Sequence, residues 1–157
     1  MFDAFMKIDG ISGESTDEKH IDWIEILSMQ FGLSRDSALS TKTSQRVKIT
    51  DVTVSKYTDL ASVLLNLSII QRRSHDNVTI EFCRAGGDKF VYLRILLTDV
   101  FVMRVDTNAL AKSQDNLPVE TVALSFREVT WEYTKQGRAD GTGRGAIFAT
   151  HNLAEPE

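Results

Sequence analysis

The sequence predicts an all-β protein, mainly antiparallel, with one short α-helix. Most of the chain alternates apolar and polar residues, which is the two-residue period of a half-buried strand. Only one segment has the spacing of a helix, and glycines stand between several of the alternating runs. With 157 residues, of which 42% are hydrophobic, the chain can bury one core. We therefore expect a single domain over residues 1–157.

Seven alternating runs are the predicted strands. The clearest of them is Val78–Cys83. In this run the apolar side chains of Val78 and Ile80 face one way, and the polar side chain of Thr79 faces the other way. Gly86, Gly87 and Asp88 follow this run and tolerate positive φ, which predicts a hairpin. The seven runs are Ala4–Ile8, Trp23–Leu33, Arg46–Lys56, Val78–Cys83, Phe90–Val105, Val119–Thr134 and Ala146–Leu153.

Two of the runs are expected to bend. Phe90–Val105 has apolar side chains on both faces, and at ~3.3 Å per residue it would extend about 50 Å. It must bend near Thr98–Asp99 or rest partly on a neighbouring molecule. In Val119–Thr134 the apolar residues change from even to odd positions near Arg127–Glu128, as at a β-bulge or a corner between sheets. Such strands suit a small barrel or an orthogonal sandwich.

The predicted helix follows Thr58 or Asp59, either of which can cap it. Leu65 and Ile69 fall on the side opposite the main apolar arc, where the helix of a monomer should be polar. This outer stripe either lies under loops of its own chain or is covered by another subunit. We predict the second, which makes Leu65 and Ile69 part of a subunit interface. The main apolar arc contains Leu60, Val63, Leu64, Leu67 and Ile70.

Residues for catalysis or metal binding form no recognisable set in the sequence. His20, His75 and His151 are far apart and lack a metal-binding spacing, so we expect them to be exposed turn residues. Cys83 is the single cysteine, which excludes an internal disulfide and a cysteine-rich metal site. We therefore predict a protein that is not an enzyme and has no catalytic residue, no metal and no cofactor.

Charge and hydropathy exclude two further classes. A net charge of −4 argues against a nucleic-acid partner bound by phosphate neutralisation. No apolar stretch approaches the ~20 residues that cross a bilayer, so membrane insertion is not expected. The first ten residues lack the apolar run of a signal peptide. We expect synthesis in the cytoplasm without a Sec-type export signal.

Four segments carry a resemblance to a known family, and together they cover nearly the whole chain. They are Gly13–Asp17 with His20 and Trp23–Ser28, then Ile49–Lys56 leading into Asp59–Ser62, then Arg84–Lys89, and last Val129–Thr134. In this order and spacing they resemble the Hcp family, the hemolysin-coregulated proteins of bacterial type VI secretion. The resemblance implies one tube-forming domain, an antiparallel two-sheet β-barrel with one helix at its side, which phage tail-tube proteins share.

The resemblance also implies a function. The chain would be a structural subunit of the type VI secretion inner tube, assembled as stacked homohexameric rings. Its partners would be further copies of itself, a VgrG-type spike, a contractile sheath, and small effector proteins carried in the lumen. The protein would be cytoplasmic when assembled, and then secreted to the extracellular space or a target cell without a signal peptide.

Ser28 and Gln30 are the predicted lumen residues, which would contact a cargo effector. They are polar even positions at the end of a predicted strand, and the odd positions Leu27, Met29 and Phe31 suit the core. The polar segments Ser34–Gln45 and Gly10–Asp17 are candidates for contact between rings.

Two alternative functions remain open at this point. A phage-like tail-tube protein would have the same fold. A monomeric β-barrel that binds a small apolar ligand would have no use for an apolar outer stripe at Leu65 and Ile69.

Overall fold

The structure, a computed structural model, describes residues 1–35, 47–86, 89–112, 114, 116–136 and 143–153. The strands and the helix of this part of the chain are, in order, β1 (Phe2–Ile8), β2 (Ile24–Ile26), β3 (Ser28–Gln30), β4 (Leu33–Arg35), β5 (Val47–Ile49), β6 (Val52–Tyr57), α1 (Ala61–Ile70), β7 (Ser74–Arg84), β8 (Val91–Asn108), β9 (Val119–Ser125), β10 (Glu128–Gln136) and β11 (Gly143–Asn152).

Nine of these strands form one antiparallel sheet. Its order is β2-β1-β7-β8-β9-β6-β3, and β10 pairs with both β8 and β11. The remaining strands, β4 and β5, pair with each other in a short ribbon. The predicted mainly-β class with one short helix is confirmed. Helix α1 has ten residues. In the part of the chain that the structure describes, no helix is long and apolar enough to cross a membrane.

Strand β8 bends at Asp99, as the sequence predicts. Asp99 has a φ of 49°, a left-handed conformation that a straight strand does not contain. Before the bend, residues 93–98 pair with β10, and after it residues 101–108 pair with β9. The bend therefore divides the sheet into two layers that share β8. One layer holds β2, β1, β7, β10 and β11, and the other holds β9, β6 and β3.

The corner predicted near Arg127–Glu128 is also confirmed. Strand β9 ends at Ser125 and β10 begins at Glu128. Arg127 ties this corner to the bend of β8: its N–H donates to the Thr98 carbonyl at 3.0 Å, and its Nη2 lies 3.0 Å from Asp99 Oδ2. The bend of β8 and the corner between β9 and β10 therefore lie side by side.

The two layers enclose one core, and the barrel is open at one seam. Among the described residues, no strand ladder joins β2 to β6. The chain crosses the seam at Leu27, whose N–H donates to the Ser55 carbonyl at 2.7 Å. Leu27 itself is exposed, which corrects the prediction that it faces the core, because it lies at the break between β2 and β3. The largest completely buried apolar side chains are Met6, Ile8, Ile24, Leu65, Ile80, Leu97 and Leu124.

The orientation of α1 corrects the sequence prediction. Leu65, expected on an outer stripe, is completely buried by its own chain and so cannot lie at a subunit interface. Ile69 is half-buried and packs against the core. The inward face also contains Ser62 and Ser68, whose hydroxyl groups have buried hydrogen-bond partners. Because two inward positions are polar, the distribution of apolar residues alone indicated the wrong side.

The segment Ser34–Gln45, a candidate for contact between rings, begins inside a strand. Its first two residues belong to β4, where Ser34 pairs with Lys48 and Arg35 with Val47. Residues 36–46 lie outside the described residues. Their contact with a neighbouring ring therefore stays a prediction.

Candidate assembly surfaces

The outer face of α1 is an exposed apolar surface. Val63 is 72% exposed and Ile70 is 77% exposed, although both are large aliphatic side chains. Contiguous apolar patches of this kind are uncommon on monomers and mark interaction surfaces. We call this surface the helix patch, and it consists of Leu60, Val63, Leu64 and Ile70.

A buried ammonium group fixes α1 to the sheet. Lys56 on β6 is completely buried, and its Nζ lies 3.1 Å from Glu120 Oε2 on β9 and 2.8 Å from Asp59 Oδ1. The same Nζ donates to Ser62 Oγ at 3.2 Å and to the Tyr57 carbonyl at 2.9 Å. A buried charge is tolerated only when it is paired in this way. The ion pair therefore joins both strands to the first turn of the helix.

The first turn of α1 is closed by two carboxylates. Asp59 Oδ1 accepts the N–H of Ala61 at 3.0 Å, and Ser62 Oγ accepts the N–H of Asp59 at 2.9 Å. Asp59 therefore does the capping that the sequence predicts for Thr58 or Asp59. Glu14, from the loop after β1, accepts the N–H of Leu60 at 2.9 Å. Both carboxylates satisfy backbone donors that the helix itself cannot.

A second surface is the outer face of the layer that contains β3, β6 and β9. The strand register places Ser28 beside Ser55 and Thr121, and Gln30 beside Thr53. Ser28 and Gln30 are exposed, and the hydroxyl groups of Ser28 and Ser55 are hydrogen-bonded to each other. The two predicted lumen residues therefore lie on a face of short polar side chains. We call it the polar sheet face.

A third cluster holds the loop between β1 and β2 against the sheet. His20, predicted to be an exposed turn residue, is completely buried. Its Nδ1 lies 2.6 Å from Asp17 Oδ2, and its Nε2 lies 2.8 Å from Glu81 Oε1 on β7. The imidazole ring stacks on Phe5 at 4.2 Å and lies nearly perpendicular to the ring of Trp23. A protonated ring can donate to both carboxylates, whereas a neutral ring can donate to only one.

Lys89 extends the His20 cluster to the surface. Its Nζ lies 2.8 Å from Asp17 Oδ1 and 3.2 Å from Asp3 Oδ2. Hydrogen bonds from Lys89, and to a smaller extent from His20, hold the pKa of Asp17 at about 2, below its usual value of 3.8. Asp17 is therefore a stable anion in contact with both Lys89 and His20, and it holds the loop after β1 against the sheet.

His75 is the other histidine whose exposure was predicted incorrectly. It is buried, with Nε2 3.1 Å from Ser68 Oγ on α1 and Nδ1 3.0 Å from the Asp9 carbonyl. This contact ties the last turns of α1 to β7. Among the described residues, no three His, Cys, Asp or Glu side chains are grouped closely enough to hold a metal ion.

Gly13 allows the loop to pack directly on the backbone of Trp23. Its N–H donates to the Asp22 carbonyl at 2.7 Å, and a Cβ at this position would lie 2.5 Å from the Trp23 carbonyl oxygen. Gly13→Ala is therefore expected to lower the free energy of unfolding by about 1 to 3 kcal/mol, measured by urea denaturation. Gly32→Ala is the matched control, because the nearest atom to its Cβ would be a Thr50 hydroxyl at 3.9 Å. Equal stability of the two variants would contradict the prediction.

Comparison with known proteins gives consistent matches over the described fold. The sequence profile of a family described as "Type VI secretion system effector, Hcp" matches residues 5–133. The curated protein hcp1 of Pseudomonas aeruginosa is 30% identical over 147 residues, which are 91% of this chain and 89% of that protein.

Solved structures agree with these sequence matches. A structure described as a type six secretion system protein superposes with a TM-score of 0.88 and 31% identity, over 98% of this chain and 96% of that one. Hcp1 from Salmonella typhimurium superposes with a TM-score of 0.79 and 30% identity, over 97% and 94% of the two chains.

Proposed function

The chain belongs to the Hcp family of type VI secretion system proteins, and we propose that it is a structural subunit of the inner tube, assembled as stacked homohexameric rings. The helix patch is the observation that carries this proposal. A rigid helix that exposes Val63 and Ile70 is unfavourable in a solitary molecule. A neighbouring copy that covers the helix patch removes this cost. The subunit interface proposed from the sequence at Leu65 and Ile69 therefore moves to the opposite side of α1.

The sheet edges support a ring rather than a simple pair of copies. Strand β3 pairs only with β6, and the pairing of β7 with β8 ends at Phe101, so neither β3 nor the end of β8 has a second neighbour among the described strands. Unpaired edges favour association with another chain. These two edges differ, and a contact between unlike surfaces of identical copies closes into a ring or continues as a filament.

The polar sheet face is the proposed lumen surface. Short hydroxyl side chains such as Ser28, Ser55 and Thr53 give a smooth hydrogen-bonding wall, which suits weak and reversible contact with many cargoes. Gln30 has the longest side chain at the free edge of this face. We therefore assign contact with effector proteins to Ser28 and Gln30. A VgrG-type spike and a contractile sheath complete the proposed assembly.

Gln30→Arg tests the lumen assignment. A bulky charge in the lumen is expected to reduce the amount of effector protein retained by purified rings at least tenfold, and to leave the mass of the rings unchanged. Gln114→Arg is the matched control, because Gln114 is an exposed glutamine outside the polar sheet face. Loss of rings before loss of cargo would place Gln30 at a subunit interface instead. Equal retention by both variants would remove Gln30 from the cargo-binding surface.

Dependence of secretion on the sheath tests the proposed function as a whole. An epitope-tagged chain is expected in the culture medium of cells with an intact contractile sheath and only inside cells that lack it. A control protein that is secreted through the Sec pathway should appear in the medium of both strains. Equal secretion of the tagged chain by both strains would contradict a role as a contraction-driven tube.

A further inference from the structure

An acidic groove lies at the N-terminal end of α1. Its volume is about 710 Å³, and its walls come from β1, β2, the loop between them, and the segments that immediately precede α1 and β9. Glu14 and Glu25 on its rim are exposed carboxylates. We call this site the acidic groove, and its apolar lining includes the half-exposed side chains of Phe2, Leu27, Tyr57 and Leu117.

A basic tip lies at the opposite end of the same helix. Ile70 is the most exposed residue of the helix patch, and Arg72 and Arg73 follow it as two exposed side chains. Neither arginine has an ion-pair partner among the described residues, whereas Arg94 has two such partners and Arg104 and Arg127 have one each. We call Ile70, Arg72 and Arg73 the basic tip.

The backbone holds the basic tip in a fixed shape. The N–H of Arg72 donates to the Ile69 carbonyl at 3.2 Å, and the N–H of Arg73 donates to the Ser68 carbonyl at 3.0 Å. Arg72 has a φ of 53°, which usually favours glycine at the end of a helix. A preorganised tip loses little conformational entropy when it binds.

The basic tip and the acidic groove are complementary, and they cannot meet within one molecule. Both combine an apolar surface with exposed charge, and the charges have opposite sign. The ten residues of α1 separate them by about 15 Å, which exceeds the reach of an arginine side chain. A second copy of the chain can therefore supply the partner for each site.

We propose that the basic tip of one subunit binds the acidic groove of the next, with Ile70 against its apolar lining and Arg72 and Arg73 facing Glu14 and Glu25. This contact rests on the proposed assembly into rings and tubes and names the residues of one of its interfaces. The contact is directional, because each copy uses its tip on one neighbour and its groove on another. It therefore continues from copy to copy.

Two charge-reversal variants test the contact in the full-length protein. Arg72→Glu with Arg73→Glu gives a chain with an acidic tip, and Glu14→Lys with Glu25→Lys gives a chain with a basic groove. For each variant alone, the association constant is expected to be at least tenfold lower than that of the native chain. Native mass spectrometry over a concentration series measures this constant. Circular dichroism of each variant confirms that it is folded.

Mixing the two variants distinguishes the proposed contact from general damage. The acidic tip of the first variant fits the basic groove of the second. The native basic tip of the second variant likewise fits the native acidic groove of the first. An equimolar mixture is therefore expected to recover assembly, with the two chains in a 1:1 ratio. Failure of the mixture to recover, with both chains folded, would overturn the proposal.

Normal assembly of each variant alone would also overturn it, and this is the result expected if the groove binds a peptide or a small apolar ligand instead. If the native chain assembles and the variants assemble equally well, the tip–groove contact is wrong and the proposed tube function stands. If the native chain itself remains monomeric over the same concentrations, the tube function and the contact both fail.

Discussion

Replacing Lys56 by methionine is expected to lower the free energy of unfolding by about 3 to 5 kcal/mol, the largest effect on stability of any substitution considered. The change leaves the Glu120 carboxylate, which is 2% exposed, without its cationic partner. It also removes a donor to Asp59 and Ser62 at the first turn of α1. Urea denaturation monitored by circular dichroism, at one fixed protein concentration, measures the loss.

Lys7→Met is the matched control for Lys56→Met, because Lys7 is exposed on β1 and its replacement should change stability by less than about 0.5 kcal/mol. Adding Glu120→Leu to Lys56→Met should recover part of the loss, since an apolar pair avoids the isolated buried charge. A loss below 1 kcal/mol for Lys56→Met alone would show that the ion pair does not fix the helix.

Val63→Asp is expected to abolish ring formation while the subunit remains folded. The side chain of Val63 is 72% exposed in the single subunit, so a carboxylate there remains hydrated. In a ring the same carboxylate would be buried against a neighbour. A loss of about 2 kcal/mol of binding free energy at each interface lowers the association constant of that contact roughly 30-fold. Sedimentation velocity should therefore show a monomer where the native chain forms rings.

Asn66→Asp provides the matched control for Val63→Asp. Asn66 is exposed on α1 but does not belong to the helix patch, and the substitution adds the same negative charge. Rings should persist in this variant. Dissociation in both variants would point to a general charge effect, and rings in both would show that the helix patch is not an interface.

The bends of the fold follow from local sequence. Near Arg127–Glu128 the apolar residues change from even to odd positions, and the Phe90–Val105 run is too long for a straight strand. Both features can be seen from neighbouring residues alone. For this reason the sequence predicts a bend near Thr98–Asp99, where the structure has a positive φ at Asp99, and a corner near Arg127–Glu128, where the structure separates β9 from β10. The mainly-β class depends on the same local alternation, and it is likewise confirmed.

The face of α1 that packs on the core could not be predicted in the same way. Ser68 is buried because it meets His75, and Ser62 is buried because it meets Lys56. Such partners are defined by the folded sheet, so helical periodicity placed Leu65 outside when the structure buries it. One signal was available: the small or polar residues Ala61, Ser62 and Ser68 recur at helical spacing around Leu65.

The segments that carry the family resemblance turn out to contain the residues that fix the fold. Gly13 permits a close backbone approach, Asp17 and His20 hold the loop after β1, and Lys56 and Asp59 hold α1. Val63, Leu64 and Ile70 of the helix patch lie outside these segments, and so do Arg72 and Arg73 of the basic tip. The proposed interface therefore had to be derived from exposure in the structure.

The central claim is that identical copies cover the helix patch, and the mass of the native chain at micromolar concentration tests it most directly. Native mass spectrometry is expected to show a dominant species near six times 17.6 kDa. A single species at 17.6 kDa across the whole concentration range would contradict the claim.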